Sequence, residues 1–161
     1  TSQLGIFYRD GMIGLPQDHE KAVECWLRAG KLGYAKAYFN LSAAYNYGDG
    51  VEKDKKKEIH CWELAAMGGD ARARYALGLY ERVAGKMNRA VKHWMISAGD
   101  GCDKSLNKIR ECFMLGHATK NDFEKTLRTH KAAKDGIKSE QREAASSFRE
   151  ENPDSVCVAS H

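Results

Sequence analysis

Apolar positions in this chain come in two alternating sets, each with the spacing of one helical face. Ala37, Leu41 and Tyr45 fall at i, i+4 and i+8, which places them along one side of a helix. Tyr47-Gly48-Asp49-Gly50 interrupts the run, because paired glycines supply turn conformations that other residues avoid. A second set follows in Trp62, Ala65 and Ala66, and Gly69 ends it. Asp54 stands where its carboxylate can accept from backbone N–H groups left unpaired at a helix start. The stretch from Ala37 to Ala73 therefore predicts two helices joined by a tight turn.

The same register recurs. Trp26, Trp62 and Trp94 lie 36 and then 32 residues apart, and each is followed by a glycine (Gly33, Gly69, Gly101), then Ala37, Ala73 or Ser105, then Leu41, Leu77 or Ile109. A fixed period of this size means stacked supersecondary units. One such hairpin cannot bury its own apolar face, so its neighbours must cover it. The expected units are 1–37, with Leu4, Gly5, Tyr8, a longer turn and the cap Asp18; 38–73; and 74–105, where Val83-Ala84-Gly85 shortens the turn. Residues 106–150 read as an atypical capping unit, with a Thr119/Asp122 capping box, followed after a break at Gly136 by a terminal helix carrying Ile137, Ala144 and Phe148. Residues 151–161 are polar and expected to be a disordered tail.

The residues Leu41, Ser42, Tyr45, Gly48, Gly50, Val51, Asp54, Trp62, Ala65 and Ala66 resemble the motif of the Sel-one-like repeat (SLR) family, relatives of the tetratricopeptide repeats. The likeness runs over roughly residues 1 to 135 and agrees in three registers. Three departures stand out. Ser42 replaces the packing glycine, Glu58 replaces the small residue found as Ala22 and Ala90, and the third unit lacks the Gly-x-Gly-Val turn. The fold implied is an all-α, right-handed α-α superhelix (solenoid) of about four hairpins plus a C-terminal helix.

Composition adds bounds rather than a function. Hydrophobic residues make up 42% and charged residues 30% of 161, with 2 prolines, which suits a helical protein with a core. A net charge of +4 does not by itself call for nucleic acid. No apolar run reaches bilayer-spanning length, so membrane insertion is not expected. The chain starts at Thr1 and its first helix reads as starting partway through a repeat, so upstream sequence is expected to be missing. The 5 cysteines form no C-x-x-C pair; Cys25 and Cys61, each one residue before a Trp, read as small structural thiols in a reducing, cytoplasmic compartment. The sequon at Asn40 lies mid-helix beside Leu41 and is read as chance.

Candidate chemistry is sparse. His60-Cys61 has no second pair at ligand spacing, so no metal site assembles. Neither G-x-S-x-G, a phosphate loop nor H-E-x-x-H occurs, and nothing calls for a catalytic residue or a cofactor. Lys53, Lys55, Lys56 and Lys57 cluster where a cation opposes the helix dipole and read as a solvated edge. The segment 119–150 alternates signs and makes no nucleic-acid stripe. Trp26, Trp62 and Trp94, with Tyr8 and Tyr45, repeat in register and read as core between hairpins.

What the resemblance implies is a non-catalytic scaffold or adaptor that binds a protein or peptide in a concave groove lined by the first helices. Tetratricopeptide geometry places the groove at Lys36, Phe39, Ala43, Asn46, Arg72, Tyr75, Leu79 and Arg82, with Asn107 and Glu111 beyond. Phe39 and Tyr75 are either anchors or packing between repeats. Lys36, Arg72 and Arg82 favour an acidic partner. Two alternatives follow: the substrate-recognition arm of a RING-type ubiquitin ligase whose catalytic module lies upstream, an analogy only, and nucleic-acid binding through basic patches.

Overall fold

A computed structural model describes residues 2–151; the rest of the expected tail, with Cys157 and His161, lies outside the described residues. Eight α-helices follow one another: α1 (Ser2–Asp10), α2 (His19–Lys31), α3 (Ala35–Tyr47), α4 (Lys55–Met67), α5 (Ala71–Val83), α6 (Met87–Gly99), α7 (Asp103–Met114) and α8 (Lys120–Glu151). The described residues contain no strand. α1 pairs with α2, α3 with α4, α5 with α6 and α7 with α8, while α2 on α3, α4 on α5 and α6 on α7 join each hairpin to the next. The protein is thus an all-α solenoid of four hairpins.

Local chemistry explains where each helix starts and stops. Asp18 accepts from the Lys21 N–H at 2.9 Å, and Asp54 accepts from the Lys56 and Lys57 N–H groups at 2.9 and 3.1 Å, satisfying donors that have no intrahelical partner. Thr119 and Asp122 cap α8 reciprocally, each N–H donating to the other's side chain at 3.1 Å. α2, α4 and α6 end alike. Gly33, Gly69 and Gly101 take φ of +88°, +84° and +89°, and the residue after each donates back to Ala29, Ala65 or Ser97. That is a Schellman closure, which needs the left-handed backbone that glycine adopts freely. Gly50 is held differently. A side chain there would strike the His19 carbonyl group and the Glu20 N–H, so the turn of the second hairpin lies directly on the start of α2.

Small residues let the helices approach. Ala29, Ala65 and Ala98 on the second helices, and Ala37, Ala73 and Ser105 on the first, have no exposed surface. Ser105 buries its hydroxyl by donating to Ser97 at 2.7 Å, and Ser97 donates on to the Ala71 carbonyl at 2.8 Å. Three helices are thereby tied, and among the described residues no buried hydroxyl is left unpaired.

One feature differs from the sequence-based picture. The expected break at Gly136 does not occur, because α8 runs unbroken through it to Glu151. Nothing lies near that glycine, so it costs only its intrinsic helix penalty, about 1 kcal/mol, amid strong helix formers. The second helix of the fourth hairpin and the expected terminal helix are one element. The structure also tightens that hairpin by stacking Phe113 on Phe123, ring centroids 5.1 Å apart.

Candidate functional site

The concave hollow begins with how each unit seats its tryptophan. In the first, the Trp26 ring lies against Gly5, so close that a Cβ there would stand 2.6 Å from Cδ1, and its indole N–H donates to the Ser2 carbonyl at 3.2 Å. In the third, Trp94 lies equally close to Gly78 and donates to the Tyr75 carbonyl at 3.3 Å. Both rings are buried. The second unit breaks the rule because Ser42 stands at the glycine position. Its hydroxyl donates to the Phe39 carbonyl at 2.6 Å, taking the acceptor the indole uses elsewhere, and its Cβ occupies the ring's seat. Trp62 is consequently only half-buried and lines a hollow between the second and third hairpins. The reading of all three tryptophans as core therefore holds for Trp62 only on one side, where it packs against Ala65, Ala66, Ala73 and Leu77.

The hollow holds about 360 Å³ and is walled by α3 and α5, with Glu58 and Trp62 of α4 behind them and Cys102 and Lys104 at the start of α7. Among the sequence-predicted groove residues, Phe39, Ala43, Asn46, Arg72, Tyr75 and Leu79 line it. Lys36 and Arg72 line a neighbouring hollow at the starts of α3 and α5. Arg82, Asn107 and Glu111 are exposed but line neither. Phe39 and Tyr75 do two jobs at once: each is half-buried against the core, and each presents surface to the hollow.

Charge in the hollow is arranged more tightly than the sequence shows. Arg72 grips Asp70 with Nε to Oδ1 at 3.1 Å and Nη2 to Oδ2 at 2.6 Å, while its guanidinium lies 4.2 Å from the Phe39 ring centroid. Burial would raise the Asp70 pKa, but the guanidinium and the Arg72 and Ala73 N–H groups outweigh it and hold the carboxyl below its ordinary value. Arg72 therefore brings a paired cation to the groove. Glu58, in place of Ala22 and Ala90, is 3% exposed and meets Lys55 Nζ at 2.8 Å.

The basic cluster is partly spent inside the molecule. Lys55 lies 5.1 Å from the Trp62 ring centroid, and Lys57 lies 5.5 Å from that of Tyr45 and 3.7 Å from Asp54. Lys21 holds the matching place over Tyr8 at 5.7 Å. In the third unit the tyrosine becomes Glu81, which Arg89 meets as an ion pair at 2.8 Å. Lys55 and Lys57 thus take part in the second unit's own packing, while all four lysines of the cluster stay exposed, as a solvated edge would. His60 is exposed while Cys61 is buried, so neighbours in sequence face different surroundings. Among the described residues no group of His, Cys, Asp and Glu could hold a metal, and no helix is long and apolar enough to cross a membrane. Cys25, Cys61, Cys102 and Cys112 are free.

Sequence reasoning missed Trp62 and Glu58 as lining residues. The signal was present, since Ser42 and Glu58 are both departures from the repeat within one unit, but the register of Trp62 concealed their joint effect.

Comparison with known proteins agrees with this geometry. The family model for the Sel1 repeat matches residues 2–34 and 35–70. A Sel1 repeat protein from Oxalobacter formigenes superposes with a TM-score of 0.68 at 27% identity, covering 83% of this chain and 56% of its own. A protective antigen of uropathogenic Escherichia coli strains, displaying an SLR fold, superposes with a TM-score of 0.67 at 24% identity, covering 84% and 30%. The chain therefore spans little more than half of the first and under a third of the second. No curated protein matches it. Sel1 repeats generally mediate protein–protein interaction, and the family is generally a non-catalytic scaffold. This chain carries two Sel1 repeats, residues 2–34 and 35–70, within a solenoid of the fold seen in solved Sel1-repeat proteins.

Proposed function

We propose that this chain is a non-catalytic scaffold that docks an extended segment of a protein partner along its concave face, with the hollow between the second and third hairpins as the anchoring point. What supports this is the meeting of Phe39, Tyr75, Leu79 and a half-buried Trp62 around one open cavity. Aromatic side chains in a concave site provide most binding energy in interfaces of this kind. Lys36, Arg72 and Arg82 remain groove residues in this proposal. Because Asp70 already pairs with Arg72, the free positive charge lies towards the ends at Lys36 and Arg82, where acidic residues of the partner would lie. Asn107 and Glu111 extend the surface beyond the hollow.

The test is selection of peptides from a displayed library against the chain, followed by calorimetry with Tyr75→Ala and Arg72→Glu. Truncating a central aromatic anchor should weaken binding by about 2 kcal/mol, some thirtyfold. Peptides that bind both variants as tightly as the unaltered chain would remove the groove from consideration. The basic lysine cluster gives no comparable support for nucleic-acid binding, since Lys55 and Lys57 are engaged by Glu58, Trp62, Asp54 and Tyr45.

A further inference from the structure

Behind the hollow lies an arrangement that the repeat does not require. Glu58 holds its carboxylate where the other units hold the methyl groups of Ala22 and Ala90, and its side chain is 3% exposed. Burying a carboxylate is costly unless a cation and hydrogen bonds compensate. The compensation here is incomplete. Lys55 Nζ stands 2.8 Å from Oε2 as an ion pair, and among the described residues that oxygen finds no hydrogen-bond partner. The same ammonium lies 5.1 Å from the Trp62 ring centroid, while the Lys55 side chain is 60% exposed. An ammonium thus already sits between a buried carboxylate and an indole face, supplied by a lysine that reaches in from water.

We propose that this corner of the hollow receives a lysine side chain from the docked partner segment, and that Lys55 is the resident cation it displaces. The inference rests on the concave-face proposal and names the chemistry of its centre. Glu58 supplies the charge, Trp62 supplies the π face that attracts an ammonium, and Phe39, Tyr75 and Leu79 supply an apolar wall for the methylene stem. Arg72 does not compete for Glu58, because Asp70 holds its guanidinium in two contacts. An acidic side chain placed here would face the Glu58 charge across a poorly solvated floor. Both elements trace to sequence: Ser42 keeps Trp62 out of its seat, and Glu58 replaces alanine.

The test follows the Trp62 indole N–H of the ¹⁵N-labelled full chain by NMR, with the three indole signals assigned from Trp→Phe variants. Nα-acetyl-lysine methylamide is titrated beside the norleucine and glutamate analogues. The lysine analogue should shift the Trp62 signal saturably, and the other two should not. Lys55→Ala should tighten the lysine analogue by about tenfold, the worth of an exposed ion pair with a cation–π contact, and Glu58→Gln should weaken it by a similar factor. A lysine analogue no better than norleucine, a glutamate analogue that binds instead, or an affinity unchanged by Lys55→Ala would overturn the proposal. Lys55 is exposed, so that variant keeps the test decisive even if Glu58→Gln misfolds. Selected peptides that still need Tyr75, combined with no response to lysine, would sink this inference and leave the groove standing; loss of both would sink both.

Discussion

The contrast between Ser42 and Gly78 makes a prediction with opposite signs at equivalent positions. Replacing Gly78 by Ser puts a Cβ within 2.6 Å of Trp94 Cδ1 and 2.7 Å of Cε2, a separation no packed pair holds. Trp94 has 0% exposure, so it must leave its seat or push α6 away, a strain worth about 1–3 kcal/mol. The indole bond to Tyr75 is lost, but the new hydroxyl can take that carbonyl as Ser42 takes that of Phe39, an exchange of about 1 kcal/mol each way. Serine regains about 0.5 kcal/mol of helix propensity over glycine. Gly78→Ser should therefore destabilise by about 2 kcal/mol, lowering Tm by roughly 4–8 °C. Ser42→Gly reverses the terms. Trp62 can settle over α3, gaining about 1 kcal/mol from completed burial and losing about 0.5 kcal/mol in propensity, so stability should rise slightly. Indole N–H exchange resolves all three rings: Trp26 and Trp94 should be protected and Trp62 fast. Gly78→Ser should make Trp94 fast, and Ser42→Gly should make Trp62 slow. Unchanged exchange in both variants would refute the idea that this one position seats or ejects the ring.

Three further outcomes can be checked. At pH 7.5, peptide-resolved alkylation should modify Cys102 well before Cys61 or Cys112: burial pushes Cys61 up to about 11 and raises Cys112, whereas at Cys102 burial is outweighed by hydrogen bonding at the start of α7, the Ser105 and Lys104 N–H groups included, which lowers it. Asp70→Asn should cost about 1 kcal/mol at pH 7 by losing the charge-assisted bond to Arg72. Because the folded Asp70 pKa lies below its ordinary 3.8, that contribution is whole above this value and lost as pH falls through the lower folded pKa, so urea midpoints of variant and parent should converge only in strong acid. Gly136→Ala should stabilise the α8 helix by about 0.5–1 kcal/mol, seen as greater helical ellipticity; a loss of ellipticity would mean that the glycine serves a contact.

Most of the stack was legible because its determinants are local and repeated. The caps Asp18 and Asp54, the left-handed glycines after each second helix, and the alanines at the crossings each act within a few residues, so periodicity alone exposes them. Gly136 misled because a glycine ends a helix only where its backbone turns, and on an exposed face with no competing cap it is merely a weak helical residue. The hollow was half legible. Resemblance put Phe39, Tyr75 and Arg72 on the helices that wall the hollow, but it could not show that Asp70 neutralises Arg72 or that Ser42 displaces Trp62. Those effects join residues two and twenty positions apart through side-chain geometry, which a period does not encode.

The length of α8 divides the protein into two thermal regimes. As far as Ile137, whose Cδ1 lies near Gly101, the helix rests on the stack, where His130 and Lys134 both clasp Asp103 at 2.9 Å. Residues 138–147 are all exposed, so their helicity depends on intrinsic propensity alone and frays gradually. Warming should thus bleed helical signal from this overhang along a sloping baseline, well before the packed hairpins give way together in a single sharp step.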